Sequence, residues 1–288
     1  MGQPNTVRGL LDVASTWLQE QGVDEARLNT ECLLAHVLGC RRLDLYLDID
    51  RPLDEAERAQ FRGLMVTRGK RVPLAYILGS RGFMGHDFLV APGVLIPRPE
   101  TEHLVQVGRD ALAGLEAPRF ADVGTGSGCV ALSLLALVPE ATAIGVDVSP
   151  EALELAERNR AQHPAGERLT LVRGSLLDEV EAGSLNLVLS NPPYITPSEH
   201  HLLAPEVKDH EPPLALFDEE GLPLTERLVG QAAQALAPGG TLALETGFDK
   251  AQLVAGFLRA AGFSDVRAVP DYAEIERVVV GRRPGPAT

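Results

Sequence analysis

A glycine-rich segment, Asp122-Val-Gly-Thr-Gly-Ser-Gly128, is the first stretch whose residue types could bind a ligand. It follows a short apolar run and leads into a helical pattern. Glycines at such a turn permit positive φ angles and let backbone N–H groups approach a ligand at the helix N-terminus. The dinucleotide fingerprint would place its last glycine at position 129, which is Cys129 here. With Asp122 two residues before the first glycine, the spacing favours a ligand with a cationic amino acid end over one with a pyrophosphate.

Asp147 ends the next apolar run, which begins at Ala143. A carboxylate at the carboxyl end of a strand can accept hydrogen bonds from both hydroxyls of a ribose, as in nucleotide-binding α/β folds. Alternatively, Asp147 only caps the following helix, but Ser149 followed by Pro150 is the better cap. The glycine-rich turn and Asp147 together predict an adenosyl ligand bound across the strand ends.

A third motif, Ser190-Asn-Pro-Pro-Tyr-Ile195, follows the apolar run Leu185–Leu189. Its two prolines remove two N–H donors and fix φ, so the backbone is rigid and its carbonyls point outward as acceptors. Asn191 adds a side-chain acceptor, and Tyr194 adds a flat face on which a planar group can stack. A proline-rich strand cap alone would not explain this asparagine and tyrosine. The motif therefore predicts a site for an –NH2 group on a planar carbon.

The elements that position these motifs alternate between strand and helix from about Glu100 onward. Alternation of strand and helix is typical of a mostly parallel sheet covered by helices on both faces. After the alternating part, a helix and two strands joined by a turn at Asp271–Ala273 predict an antiparallel end to the sheet. The predicted strands are Phe120–Val123, Ala143–Val146, Leu169–Val172, Leu185–Leu189, Leu242–Leu244, Val266–Val269 and Arg277–Val280, and the predicted helices are Cys129–Val138, Glu151–Arg160, Leu224–Leu236 and Ala251–Ala261.

Helical patterns alone fill the first eighty residues. The third of these helices opens at a capping box formed by Asp54 and Glu57. The next residues change to apolar residues broken by glycine and proline, which predicts a hairpin. We therefore predict a helical domain at residues 1–80, a hairpin linker at 81–98 and an α/β domain at 99–288. The three helices of the first part are expected to begin near Asn5, Asp24 and Asp54.

Charge argues against nucleic acid as a direct partner. The chain has a formal net charge of −14. Up to Ser80 there are 10 Lys and Arg against 11 Asp and Glu, and the remainder has 16 against 29. Proteins that bind nucleic acid normally carry a basic face, because neutralising phosphates supplies most of the affinity. The only local basic cluster consists of Arg68, Lys70, Arg71 and Arg81, and a solvated helix end explains it equally well.

The remaining composition points to a cytoplasmic protein. No apolar stretch approaches the length of a membrane span, and the N-terminal residues lack a signal-peptide pattern. Cys32, Cys40 and Cys129 match no metal spacing and fit reduced thiols. We therefore expect no membrane association and no metal.

Together with further segments, these motifs resemble the release-factor glutamine-N5 methyltransferases, the PrmC or HemK family. The resemblance covers nearly the whole chain. The glycine-rich turn and Asp147 are shared by many methyltransferases, and Asn-Pro-Pro-Tyr by enzymes that act on planar nitrogens, so the block Leu95–Glu102 is what narrows the match. The other matching segments are Pro73–Gly79, Glu211–Leu216 and Arg277–Gly281.

The resemblance implies a Rossmann-like seven-stranded methyltransferase sheet and a small N-terminal helical domain that docks the substrate, joined by the hairpin. The implied cofactor is S-adenosyl-L-methionine, which leaves as S-adenosyl-L-homocysteine. The implied substrate is the glutamine of the Gly-Gly-Gln motif in class I peptide-chain release factors. The same resemblance implies that the methionine part of the cofactor is surrounded by Gly124, Thr125, Gly126, Ser127 and Gly128. It implies that Asp147 holds the ribose, that Ser175 and Leu176 border the adenine, and that Asn191 also adjoins the cofactor. The glutamine amide would be held by Asn191, Pro192, Pro193 and Tyr194, of which Asn191, Pro192 and Tyr194 are the implied catalytic residues.

Departures from the family pattern occur at Ser175, often acidic in relatives, and in Phe217–Gly221 and the tail turn that starts at Asp271. Two other functions stay open. The first is methylation of another planar nitrogen, in a ribosomal-protein glutamine or an exocyclic amine of a nucleic-acid base. The acidic charge argues against its nucleic-acid form. The second is non-catalytic binding of an adenosyl ligand, against which the intact Asn191–Tyr194 argues.

Overall fold

The computed structural model describes residues 5–285, so the outermost ends of the two predicted domains, residues 1–4 and 286–288, lie outside the described residues. The chain forms two compact units. The first extends to Gly79 and also contains Ala204–His210, and the second contains Ser80–Leu203 and the chain from Glu211 onward. The sequence predicted contiguous domains with a separate hairpin linker. In the structure the hairpin belongs to the second unit, and seven residues from the α/β half belong to the first.

The first unit is built from helices whose ends follow local rules. Glu57 N donates to Asp54 Oδ1 at 2.8 Å and Asp54 N to Glu57 Oε2 at 2.9 Å, so the predicted capping box is present. Gly39 ends the second helix in the left-handed conformation, with φ +61°. The helices of this unit are α1 Val7–Glu20, α2 Ala26–Leu38, α3 Asp44–Leu47, α4 Glu55–Gly69, α5 Leu74–Leu78 and α9 Pro205–His210.

The core of the first unit is formed by apolar side chains of α1, α2 and α4. Trp17 packs at its margin against the end of α4. A Cβ at Gly69 would lie 2.4 Å from Trp17 Cη2, so only glycine leaves room for the indole there. The fully buried members of this core are Leu11, Leu18, Leu33 and Leu34.

Helix α9 is tied to the rest of the first unit by Glu206. Arg68 Nη2 donates to Glu206 Oε1 at 2.9 Å, and Arg71 Nη2 donates to Glu206 Oε2 at 2.6 Å. Arg68 is only 5% exposed, and its Nε also donates to Asn29 Oδ1 at 2.7 Å. Partial burial acts to raise the pKa of Glu206, but hydrogen bonds from Arg71 and Arg68 lower it to about 2. We call Arg68, Arg71 and Glu206 the Glu206 anchor.

The second unit contains a small antiparallel hairpin and a seven-stranded sheet in the order β5-β4-β3-β6-β7-β9-β8. Strands β3 to β7 pair in parallel, and β9 pairs antiparallel with both β7 and β8, as the tail pattern predicted. The strands are β1 Ser80–Phe83 and β2 His86–Leu89 in the hairpin, and β3 Arg119–Val123, β4 Thr142–Asp147, β5 Leu169–Arg173, β6 Leu185–Ser190, β7 Leu236–Glu245, β8 Ser264–Pro270 and β9 Glu276–Arg282 in the sheet.

Helices cover both faces of this sheet, and each face has its own apolar core. Leu187 and Leu189 of β6 belong to one core, whereas Val188 between them belongs to the other. The predicted fold class, α/β with a seven-stranded sheet and an N-terminal helical part, is therefore confirmed. The helices of the second unit are α6 Glu102–Leu112, α7 Cys129–Leu137, α8 Pro150–Gln162, α10 Pro213–Leu216, α11 Pro223–Ala235 and α12 Ala251–Ala260, with 3-10 turns at Pro99–Thr101, Gly166–Arg168 and Pro197–Leu202.

Candidate active site

A cavity of about 310 Å³ lies at the carboxyl ends of β3, β4 and β6, within the second unit. Parallel sheets place ligand sites at this edge, because the turns that leave the strands diverge there. We call this edge the catalytic edge. Its cavity is lined by residues of the glycine-rich turn, of the turns after β4, β5 and β6, and of two further segments: 93–98, 101, 123–127, 129, 130, 146–149, 152, 174–176, 190–193, 212, 214, 215 and 224.

The glycine-rich turn leaves β3 in a conformation that only glycine adopts easily. Gly124, Gly126 and Gly128 have φ angles of +71°, +55° and +79°. Gly124 N and Thr125 N both donate to Val146 O, at 2.8 and 3.0 Å, which holds the turn against β4. Helix α7 begins directly after Gly128, so the turn presents backbone N–H groups at a helix N-terminus.

Asp122 stabilises this turn and does not line the cavity. Its Oδ2 accepts from Thr125 Oγ1 at 2.8 Å and from Ala131 N at 3.2 Å. The residue is only 2% exposed, and burial raises its pKa to about 6. The sequence suggested that this acid suits the cationic end of a ligand. The structure instead places its carboxyl group behind the turn, where it joins the first turn of α7 to Thr125.

Asp147, in contrast, lines the cavity. Its Oδ2 accepts from Gly126 N at 2.9 Å and its Oδ1 from Ser149 N at 3.0 Å. Each carboxylate oxygen can accept more than one hydrogen bond, so the arrangement fits a vicinal pair of hydroxyls. Ser149 Oγ accepts from Ala152 N at 3.1 Å, which confirms that Ser149 is the cap of α8.

Ser175 and Leu176 line the cavity at the end of β5. Leu176 has a positive φ of +54°, a backbone conformation that is uncommon for residues other than glycine. Ser175 Oγ accepts a hydrogen bond from Arg227 Nη2 at 3.1 Å. The serine at this departure from the family pattern is therefore connected to α11.

The asparagine–proline loop after β6 is held on both sides. Ser190 Oγ donates to Val123 O at 2.7 Å, and Ile195 N donates to Leu216 O at 3.1 Å. Asn191 Nδ2 donates to Thr101 Oγ1 at 3.3 Å, which leaves Oδ1 on the other branch of the amide. Asn191, Pro192 and Pro193 line the cavity.

Tyr194 and Gly128 are the predicted site residues that are not among the described residues lining the cavity. The Tyr194 ring packs beside one of the two sheet cores, and a Cβ at Gly247 would lie 3.3 Å from its Cδ2. Burial raises the pKa of the Tyr194 hydroxyl to about 12, so it stays protonated near neutral pH. The predicted set is thus brought to one edge of the sheet, with the tyrosine set back from the cavity.

Two segments of the wall were not predicted as site residues, although the resemblance quoted both. The first is Leu95–Arg98 with Thr101, and the second consists of Pro212, Leu214 and Ala215. Buried Glu211 joins them, since it accepts from Arg98 Nη2 at 2.5 Å and from Ile96 N at 3.3 Å. The matching blocks that contain these segments are rich in proline and contain charged residues, and this feature of the sequence could have indicated that they belong to the site.

Over residues 5–285, no group of three or more His, Cys, Asp or Glu side chains is arranged to hold a metal ion. In the same described range, no helix combines the length and apolarity that crossing a bilayer requires.

Comparison with known proteins shows the family of this chain. The family model described as the PrmC N-terminal domain matches residues 9–79, and the one described as the Methyltransferase small domain matches residues 102–206. A release factor glutamine methyltransferase of Geobacter sulfurreducens is 43% identical over 281 residues, 96% of each chain. The relative of that name in Burkholderia pseudomallei is 39% identical, over 98% of this chain and 100% of its own.

Among solved structures, a protein-(glutamine-N5) methyltransferase (release factor-specific) from Alicyclobacillus acidocaldarius is 30% identical. It covers 68% of this chain and 99% of its own, with a TM-score of 0.41. These two sequence relatives carry the same name and match 96% and 98% of this chain. The chain is a methyltransferase and belongs to the release factor glutamine methyltransferase family.

Proposed function

We propose that this chain transfers a methyl group from S-adenosyl-L-methionine to the side-chain amide nitrogen, N5, of the glutamine in the Gly-Gly-Gln motif of class I peptide-chain release factors. The observation that carries the proposal is the position of Asn191 in the wall of the cavity that Gly124–Ser127 and Asp147 also line. An acceptor for a planar –NH2 group and the residues proposed to bind an adenosyl ligand thus line the same cavity. The names of the relatives supply the release factor as substrate.

The residues of the cavity fit the cofactor. Gly124–Gly128 would surround its methionine part, Asp147 its ribose hydroxyls, and Ser175 with Leu176 its adenine. A Cβ added at Gly124 would meet no atom within 4 Å, which leaves open space over the turn. S-adenosyl-L-methionine supplies a methyl group already activated by the sulfonium, and S-adenosyl-L-homocysteine is the product.

The protein's own task is to align a weak nucleophile. The lone pair of an amide nitrogen is delocalised, so orientation and electrostatics must do most of the catalysis. Asn191 Oδ1 and the Pro192 carbonyl accept the two amide N–H bonds. The sequence suggested that Tyr194 stacks on the amide plane, but its ring packs against the sheet core and does not line the cavity. When bound, the cofactor would give up its methyl group from sulfur to the aligned nitrogen, and the nitrogen would release one proton to solvent.

We further propose that the helical unit, including the predicted domain of residues 1–80, docks the release factor. All predicted cofactor residues lie in the second unit. A helical part without cofactor residues is therefore available for the protein substrate.

Methylation of a nucleic-acid base by the same Asn-Pro-Pro-Tyr chemistry is the second candidate. Two of the four residues in the basic cluster, Arg68 and Arg71, are bonded to Glu206 within the first unit. One carboxylate thus pairs with both guanidinium groups inside the unit, which reduces the positive charge available to phosphate groups. Together with the net charge of −14, this favours a protein substrate.

Mass spectrometry tests the proposal. Purified enzyme and S-adenosyl-L-methionine are incubated with an unmethylated class I release factor, with ribosomal proteins and with ribosomal RNA in separate reactions. We expect one added methyl group on the glutamine of the Gly-Gly-Gln peptide and none in the other reactions. Methylation of RNA or of a ribosomal protein alone would replace the proposed substrate by the corresponding alternative.

A further inference from the structure

Glu245 is a buried carboxyl group at the catalytic edge for which the proposed reaction has no role. It is 3% exposed and ends β7, the strand next to β6. Strand register pairs Leu244 with Ser190, so the next residues, Glu245 at the end of β7 and Asn191 just after β6, lie at the same level. Oε2 of Glu245 has no hydrogen-bond partner among the described residues. A buried polar atom without a partner is rare and calls for an explanation, and groups with strongly shifted pKa values cluster at functional sites.

Thr101 stands between Glu245 and Asn191. Its hydroxyl acts by hydrogen bonding to lower the pKa of the Glu245 carboxyl, and its Oγ1 accepts from Asn191 Nδ2 at 3.3 Å. Thr101 is itself buried, so both contacts are shielded from water. The three side chains therefore form a relay from the end of β7 to the wall of the cavity.

The relay has a direction because a hydroxyl carries a single hydrogen. An ionised carboxylate only accepts hydrogen bonds, so ionised Glu245 takes the hydrogen of Thr101. The Thr101 oxygen can then only accept, and it selects the –NH2 branch of Asn191. When Glu245 is protonated, it can donate to Thr101 instead, and the hydroxyl hydrogen becomes free for Asn191 Oδ1.

We propose that Glu245 is a positioning residue for methyl transfer, which acts through Thr101 to present Oδ1 of Asn191, and not Nδ2, to the substrate amide. The inference rests on the proposed function, in which Asn191 accepts an N–H bond of the substrate. A donor at that place would face another donor and would turn the amide away.

The charged surroundings allow this group to change state near neutral pH. Burial raises the pKa of Glu245 to about 7, although the Thr101 hydrogen bond acts to lower it. The other charged groups that act on it are Glu100, which raises the pKa, and Arg277 and Arg98, which lower it. The Tyr194 hydroxyl, whose own pKa is raised by Glu245, stays neutral in this range. The charged form that orients Asn191 therefore dominates above about pH 7 and is lost below it.

The experiment compares single-turnover methylation of a release factor, at saturating cofactor and substrate, across a range of pH. We expect the rate of the parent enzyme to rise through about pH 7. Glu245→Gln should lower the rate about 10-fold, less than the 10²–10³ typical of removing a preorganised contact outright, and should abolish this rise. Thr101→Val should do the same, and Thr101→Ser, which keeps the hydroxyl, should restore both. Ser133→Ala removes another buried hydroxyl, from α7, and serves as the matched control with parent behaviour.

A second background separates positioning from a general structural effect. In Asn191→Asp both branches are oxygens, so orientation has no meaning, and adding Glu245→Gln should cause no further loss. An equal loss from Glu245→Gln in the parent and in the Asn191→Asp variant, or a parent rate and pH profile in both Glu245→Gln and Thr101→Val, would overturn the inference. If Asn191→Ala itself methylates at the parent rate, the proposed role of Asn191 fails instead, so the two failures are distinguishable.

Discussion

The catalytic edge and the Glu206 anchor are built in opposite ways. At the catalytic edge, contiguous motifs supply the important groups: five residues from Gly124 to Gly128, then Asp147, then Asn191–Pro193. The Glu206 anchor joins Arg68 and Arg71 to a carboxylate 135 residues or more away along the chain. The site residues at the strand ends thus come from short sequence motifs, whereas the residues that bind α9 are distant in sequence and meet only in the folded protein.

The two regions also differ in what a substitution should change. A group at the catalytic edge acts on substrate or cofactor, so its loss should alter rate or affinity and leave folding intact. The anchor lies inside the helical unit, so its loss should alter stability and leave cofactor binding intact. The following predictions test this division.

The largest expected effect is on catalysis at Asn191. Asn191→Ala removes the acceptor for the substrate amide, and loss of one preorganised hydrogen bond typically costs about 10²–10³ in rate. Asn191→Asp keeps an oxygen at that place and should retain more activity than the alanine variant. Single-turnover methylation at saturating cofactor and release factor measures both. An alanine variant as fast as the parent, or faster than the aspartate variant, would show that the side-chain acceptor is not used.

Next comes cofactor affinity at Asp147. Asp147→Ala removes the acceptors proposed for two ribose hydroxyls, and we expect a loss of about 2–4 kcal/mol in binding free energy. Isothermal titration with S-adenosyl-L-methionine measures the change. Asp122→Asn is a useful comparison, because Asp122 holds the turn without lining the cavity. Unchanged affinity in Asp147→Ala would remove Asp147 from the cofactor site.

Stability of the helical unit should respond to Glu206. Glu206→Ala leaves the buried guanidinium of Arg68 short of a charged partner, and we expect a loss of about 1–3 kcal/mol in the free energy of unfolding. Denaturant unfolding followed by circular dichroism measures it, and cofactor affinity should not change. The matched control is Glu55→Ala, which breaks the exposed pair with Arg58 and should change stability by less than about 0.5 kcal/mol. Equal losses in both variants would remove any special weight from the anchor.

A smaller effect should appear in the acid range. The pKa of Glu206 is lowered from 4.5 to about 2, so its contribution to stability is present above about pH 4.5 and is lost as the pH falls toward 2. Glu206→Gln cannot titrate, and its stability should therefore fall less steeply between these two pH values. Urea unfolding at several pH values compares the slopes. Parallel slopes in parent and variant would mean that the anchor does not govern the acid limb.

The same contrast explains what sequence could predict. The capping box at Asp54, the glycine-rich turn and the alternation of strands and helices after Glu100 all follow from residues close together in the chain. Strand β7 begins earlier than predicted. Its start was missed because Pro238, Gly239 and Gly240 are residues that disfavour strands. The first three features follow the local preferences of their residues, and the start of β7 goes against them.

The unpredicted parts depend on contacts over long separations. Neither the pairing of Glu211 with Arg98 nor the relay through Thr101 has a local signature, since every contact in them joins positions at least 90 residues apart. Helix α9 is short and lies in the first unit, where Glu206 pairs with Arg68 and Arg71. The sequence therefore predicted the motifs of the site but not the residues that hold them.

The position of Trp17 has a spectroscopic consequence. It is the only tryptophan in the chain, and its indole packs against Gly69 in the helical unit. Emission excited at the red edge of protein absorption, where tyrosine contributes little, will therefore report on that unit alone. The natural sequence thus carries a built-in fluorophore with which melting of the helical unit, or its engagement by a release factor, can be followed without labelling and without interference from the half of the molecule that holds the cavity.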